Sequence, residues 1–187
     1  MLPKRKHNNY AFIDSQNLNL GTQRMGWKVD WRRFRQYLKD KHHVNKAYMF
    51  IGYMSENESL YEYMHELGFL VVLKPTVDVS ANTETSTKAE TSGKSVEEKE
   101  KPTIKGNVDA ELVLYAMKEL QNYDKALIVS GDGDFFSLAE YLDENRKLEK
   151  ILVPNWQYSS LLKPFDSKII RLDKMRGKLA YHDRKKK

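Results

Sequence analysis

Short apolar runs alternate with stretches of helical spacing along most of the chain. Residues 10–13 (YAFI) form a brief apolar run that stops at Asp14, which predicts a first strand. Asp30 then stands where a helix N-cap belongs, and Trp31, Phe34, Tyr37 and Leu38 follow at helical spacing. Residues 47–54 (AYMFIGYM) predict a second strand. Ser55 and Glu58 have the spacing of a capping box, in which each side chain satisfies a free backbone donor. The helix they would start carries Leu60, Tyr63, Met64 and Leu67 and ends at Gly68, a natural C-cap. Residues 69–73 (FLVVL) predict a third strand, closed by Pro75.

The pattern then lapses. Residues 77–102 are rich in Ser, Thr, Glu and Lys and contain no aromatic residue. Such a segment buries too little apolar surface to offset the entropy of ordering, so it is expected to be a disordered insertion. Beyond it, Val108, Leu112, Tyr115, Ala116 and Leu120 trace one face of a helix. Residues 126–129 (ALIV) predict a fourth strand, and Leu138, Ala139 and Leu142 lie on the helix after it. Residues 151–153 (ILV) make a fifth strand, and Ile169, Ile170 and Leu172 a short sixth. Strands alternating with helices predict an α/β fold, a three-layer α/β/α sandwich around a mostly parallel sheet. Right-handed crossovers place helices on both faces, and ligands in such folds bind at the carboxyl ends of the strands. At 187 residues one domain is expected, over residues 9–173, with an N-terminal tail at 1–8 and a basic tail at 174–187.

Composition narrows the chemistry. The chain has no cysteine, which excludes disulfides, thiolate zinc, iron–sulfur clusters and a thiol nucleophile. No run approaches the roughly 18 apolar residues of a membrane span, and no apolar stretch follows the charged start. A cytoplasmic location with no membrane partner is the expectation. The net charge of +6 matches the seven basic residues and one acid of residues 174–187. A second basic cluster runs from Arg24 to Lys46, with eight Lys or Arg against Asp30 and Asp40. Basic segments of this kind fit a polyanion partner, nucleic acid first, or alternatively a solvated end and a solvated helix face.

The strand ends, by contrast, are acidic. Asp14 follows the first strand, Asp132 and Asp134 follow the fourth, and Asp109 opens the helix after the insertion, with Gly106 just before it. If strands one and four are neighbours, the four carboxylates converge. Several anions in one pocket need a cation, and hard oxygen ligands without cysteine favour Mg²⁺ or Mn²⁺ over zinc. Phosphodiester hydrolysis is the chemistry such a site supports. Each Asp also has a plainer reading as a turn residue or an N-cap, Asp109 and Asp134 most of all, since each precedes a helix.

At these acids the sequence resembles a known family. Residues 12–17 (FIDSQN), 105–112 (KGNVDAEL) and 129–135 (VSGDGDF) look like the three signature blocks of NYN domains, which belong to the PIN-like nuclease superfamily. The likeness runs over about residues 9–172, interrupted by the insertion. It implies a parallel sheet of order 3-2-1-4-5 and metal-dependent cleavage of RNA. It implies that Asp14, Asp109 and Asp132 hold the metal, and that Asp134 contributes directly or through water. Asn17 would orient a carboxylate, a water or a phosphate, while Lys105 and Ser130 would contact nucleic acid. Two positions depart from the family pattern. Ser15 stands where Gly is common in the first block, and Gly133 where Ser is common between the two Asp residues of the third. A haloacid-dehalogenase-like nucleophile at Asp14 would want a second Asp two residues on, where this chain has Gln16. Adjacent His42 and His43 would point about 100° apart on a helix and make a poor metal pair.

The segment that leaves strand one carries Arg24, Lys28, Arg32, Arg33 and Arg35, with Trp27 and Trp31 interleaved. Basic side chains track phosphates and exposed aromatics stack on unpaired bases, so this segment is the expected nucleic-acid entrance. Trp31 is also in register with Phe34 and Leu38, which is a core position. Trp156 and Tyr158, beyond strand five, are candidates for a second wall. The functional expectation is a metal-dependent endoribonuclease acting on single-stranded RNA, with DNA not excluded and room for a homodimer. The alternative is a nucleic-acid-binding or regulatory module with little turnover.

Overall fold

The structure, a computed structural model, describes residues 7–53, 55–74 and 108–182. The expected insertion at 77–102, Lys105, the Ser55 side chain and residues 183–187 lie outside the described residues. Among the described residues the strands are β1 (Asn9–Asp14), β2 (Val44–Gly52), β3 (Leu70–Lys74), β4 (Ala126–Val129), β5 (Leu148–Val153) and β6 (Ile169–Arg171). They form one sheet of order β3-β2-β1-β4-β5-β6, and every neighbouring pair is parallel. The expected three-layer α/β architecture and strand order are present, with β6 extending the sheet beyond β5.

All six residues of the central β1 are buried, and they alternate between two cores. Tyr10 and Phe12 face one side with Phe50, Ile128, Leu112, Ala116 and Leu138. Helices α4 (Asp109–Lys118) and α5 (Phe136–Glu144) cover that side. Ala11 and Ile13 face the other side with Met49, Val129, Leu18, Phe34 and Met64. There the cover comes from α1 (Ser15–Arg24), α2 (Trp31–His42), α3 (Glu58–Glu66) and the short α6 (Arg176–Leu179). The register pairs Phe12 with Ile128 and Ile13 with Val129, so β1 and β4 end side by side. That pairing carries Asp14 to the residues that follow Val129.

Several expectations shift. Helix α1 has no counterpart in the apolar pattern. It starts directly after β1, with the Asp14 side chain accepting from the Asn17 N–H as N-cap. Strand β2 begins at Val44 rather than at residue 47. Helix α3 begins at Glu58 after a 3₁₀ turn over Ser55–Asn57, and Asn57 occupies its N-cap position, so Ser55 does not. Gly68 ends that helix at φ 85°, the left-handed value that favours glycine. Asp30 caps α2 through the Arg33 N–H, as its position predicts. After β6 the chain keeps folding. Leu179 and Ala180 are buried, Ala180 forms an antiparallel bridge with Val29, and the Asp30 N–H donates to the Leu179 carbonyl at 2.8 Å.

Candidate active site

The site is built where two strand-to-helix turns meet. Asp14 is 5% exposed, and both of its carboxylate oxygens are engaged. Oδ1 accepts from the Asn17 N–H at 3.0 Å and Oδ2 from the Ser130 hydroxyl at 3.1 Å. Ser130 Oγ in turn accepts from the Asp132 N–H at 3.1 Å, and Asp132 Oδ1 from the Asp134 N–H at 3.1 Å. A parallel link runs from the Gly131 N–H to Asn17 Oδ1 at 2.9 Å. These bonds tie the β1–α1 turn to the β4–α5 turn, so the acids of the two turns cannot drift apart independently.

Asp109, Asp132 and Asp134 each place one carboxylate oxygen so that the three lie within 4.8 Å of one another. Two ligands on opposite sides of an ion with metal–oxygen bonds of about 2.0–2.6 Å are separated by about 4–5 Å, so the spacing fits one Mg²⁺, Mn²⁺ or Ca²⁺. The plainer reading of Asp109 and Asp134 as N-caps does not hold. Val108 occupies the N-cap of α4, and Asp132 caps the 3₁₀ turn over Gly133–Phe135. Asp109 and Asp132 are half-buried and Asp134 is exposed, which leaves the group open on one side. Asp14 lies outside that trio but within its field. Burial raises the Asp14 carboxyl above its ordinary value, the bonds from Asn17 and Ser130 oppose the rise, and the charges of Asp109 and Asp132 add to it. Ser130 is 1% exposed, and its hydroxyl serves the two turns.

The basic residues divide between two hollows that share no lining residue. Arg24 lines a polar pocket of about 100 Å³ with Asn17, Gly131 and Tyr158, directly beside the acids. Arg32 and Arg33 line a wider hollow of about 740 Å³ with Trp31, Tyr63, Tyr181 and His182. Arg33 is also paired with Asp30, at 3.4 Å. Lys28 is exposed. Arg35 is structural: its guanidinium donates to the carbonyls of Gly68, Val44 and Asn45. Trp27, one of the interleaved aromatics that were candidates for stacking, is 6% exposed and packs in the core, and Trp31 sits edge-on to Phe34 and Phe69. Trp156 is 58% exposed. His42 bonds Tyr37 and His43 stacks on His7, so the two histidines do not act as a pair.

Pattern reading missed the residues that close the site from the β5 side. Asn155 is buried and donates to the Gly21 carbonyl at 2.8 Å, while the Ser159 side chain packs against Gly133. Their only sequence signal is that they follow strand five, at the carboxyl edge of the sheet.

A parallel sheet with carboxylates gathered at the ends of two adjacent strands is the plan of a PIN-like nuclease domain. Residues 10–170 match the NYN domain model, and the chain belongs to this family. Its fold is similar to that of a Vibrio parahaemolyticus RIMD 2210633 protein of unknown function. That likeness has a TM-score of 0.69 at 20% identity, covering 97% of this chain and 100% of that one. No curated protein matches the sequence.

Proposed function

We propose that this chain is a metal-dependent ribonuclease that cuts single-stranded RNA internally, in the cytoplasm, with Mg²⁺ or Mn²⁺ held by Asp109, Asp132 and Asp134. The observation that carries the proposal is the meeting of three carboxylate oxygens within 4.8 Å, drawn from the start of α4 and from the turn after β4. A divalent ion bound there supplies a water of lowered pKa and polarises a phosphoryl oxygen. Asp14 supports the group through the two turns. Its two hydrogen bonds fix the turns, and its charge adds to the field that draws a cation in. Asn17 holds the Gly131 backbone and so sets where Asp132 begins. Arg24, in the adjoining pocket, meets the phosphodiester chain. Among the described residues, no helix is long and apolar enough to cross a membrane.

The test uses a 5′-labelled single-stranded RNA incubated with the chain in Mg²⁺, in Mn²⁺ and in EDTA. Internal cuts are expected with metal and none in EDTA. Asp132→Asn should lower the rate at least a hundredfold, while Mn²⁺ titration calorimetry shows the loss of one binding event. Cleavage that persists in EDTA, or an Asp132→Asn variant as active as wild type, defeats the proposal.

A further inference from the structure

The pocket beside the acid group differs from it in charge. Its lining includes one cation, Arg24, and no carboxylate. Arg24 ends α1, is exposed, and has no partner among the described residues. The pocket adjoins the acids through the bond from the Gly131 N–H to Asn17 Oδ1, since both residues line it and Asp132 follows Gly131. Its far wall is preformed. Asn155 donates to the Gly21 carbonyl at 2.8 Å and accepts from the Gln157 N–H at 2.7 Å, which fixes the turn after β5 against α1. A volume of about 100 Å³ is enough for a phosphate group. Trp156, between the lining residues Asn155 and Gln157 in sequence, is 58% exposed.

We propose that this pocket is a subsite for one unpaired nucleotide flanking the scissile bond, with its phosphate on Arg24 and its base stacked on Trp156. The proposal rests on the nuclease reading for the position of the scissile bond, but the binding itself does not need metal. A pocket bearing one positive charge beside a group of three acids gives the strand a direction. The reacting phosphodiester lies at the acids, and the next phosphate lies where the local charge changes sign. A duplex cannot offer an unpaired base to Trp156, so the arrangement selects single strands.

The experiment measures anisotropy of fluorescein-labelled dodecauridylate with the full chain in EDTA, across a salt series. Wild type should bind, and its tryptophan emission should be quenched, because Trp27 is buried and Trp31 half-buried while Trp156 is open. Arg24→Gln should weaken binding several-fold and reduce the salt slope by about 0.7, the value for one phosphate contact on a single strand. Trp156→Ala should weaken binding about tenfold, within the range for one stacked base. Trp156→Phe should keep most of the affinity and lose the quench. A duplex of the same length should bind wild type and Trp156→Ala equally. Normal binding by both Arg24→Gln and Trp156→Ala, or no binding by wild type, overturns the subsite, even if RNA is still cut in Mg²⁺. If the binding pattern holds but no cut appears with metal, the subsite stands and the nuclease reading falls.

Discussion

At Asp14 burial and charge act on a single carboxyl. Burial first, and then the charges of Asp109 and Asp132, raise it above its ordinary value, against the hydrogen bonds from Asn17 and Ser130. The folded state therefore holds this proton more tightly than the unfolded chain does. Below the unfolded value of about 4 both states are protonated, and the penalty is absent. As pH rises toward the folded value the unfolded chain loses its proton first and stability falls; above it the full penalty stands. In EDTA, the Tm of wild type should accordingly decline as pH climbs above about 4, by an increment missing from Asp14→Asn. Parallel Tm-against-pH curves for the two proteins would exclude Asp14 as its source. Gly133 shows where single residues stop being legible. A Cβ there would come 2.4 Å from Ser159 Oγ and 3.0 Å from a Leu161 methyl. The glycine that departs from the family pattern is matched to a loop distant in sequence. Asp14, Asp132 and Asp134 were readable because they follow an apolar run, and Asp109 because it opens a helix of regular apolar spacing, whereas their packing partners carry no periodic signal.

The elements that could be read are those whose burial leaves a pattern. Parallel strands covered on both faces are continuous apolar runs, as in β1 and β4, and α2 has a cap and regular apolar spacing. Helix α1 lacks that spacing. Over Ser15–Arg24 the large apolar residues are Leu18, fully buried, and Leu20, 45% exposed. This helix is held by its Asp14 cap and by close packing at Gly21, where a Cβ would come 2.5 Å from Cβ of Pro154. Because that atom belongs to a ring locked to the backbone, it cannot swing aside. Gly21→Ala should therefore cost about 1–3 kcal/mol, the usual range for overpacking, measured by urea unfolding. It should also loosen the Asn155 bond to the Gly21 carbonyl and weaken dodecauridylate binding. An unchanged midpoint would mean that α1 is not seated on the β5 turn. The 3₁₀ segment Ser160–Lys168 was unreadable for a different reason: Pro164 interrupts it, yet it buries Leu162 and Phe165.

For the molecule as a whole, the net positive charge lies in residues 174–187, of which the structure describes residues 174–182. Its first part is folded onto the body: Leu179 and Ala180 are buried with Val29 and Phe34, and Tyr181 N–H donates to the Lys28 carbonyl at 2.8 Å. Charge alone suggested a uniform basic tail, because Leu179 and Ala180 among seven cations look incidental until their partner is known. Two truncations separate the parts. Removing residues 183–187 deletes one acid and four cations and leaves every described core residue in place. It should leave the Tm unchanged and weaken RNA binding chiefly at low salt. The slope of log K against log salt should fall by up to about 3, at about 0.7 for each phosphate no longer neutralised. Removing residues 176–187 also strips Leu179 from the core, and losing a buried leucine typically costs about 2–5 kcal/mol. The longer deletion should therefore lower the Tm by several degrees, in addition to flattening the salt dependence. Equal Tm values for the two truncations would place residues 176–182 outside the stable body. An unchanged salt slope after the shorter one would mean that the RNA path, with its phosphates on Arg24, runs clear of the C-terminal cations.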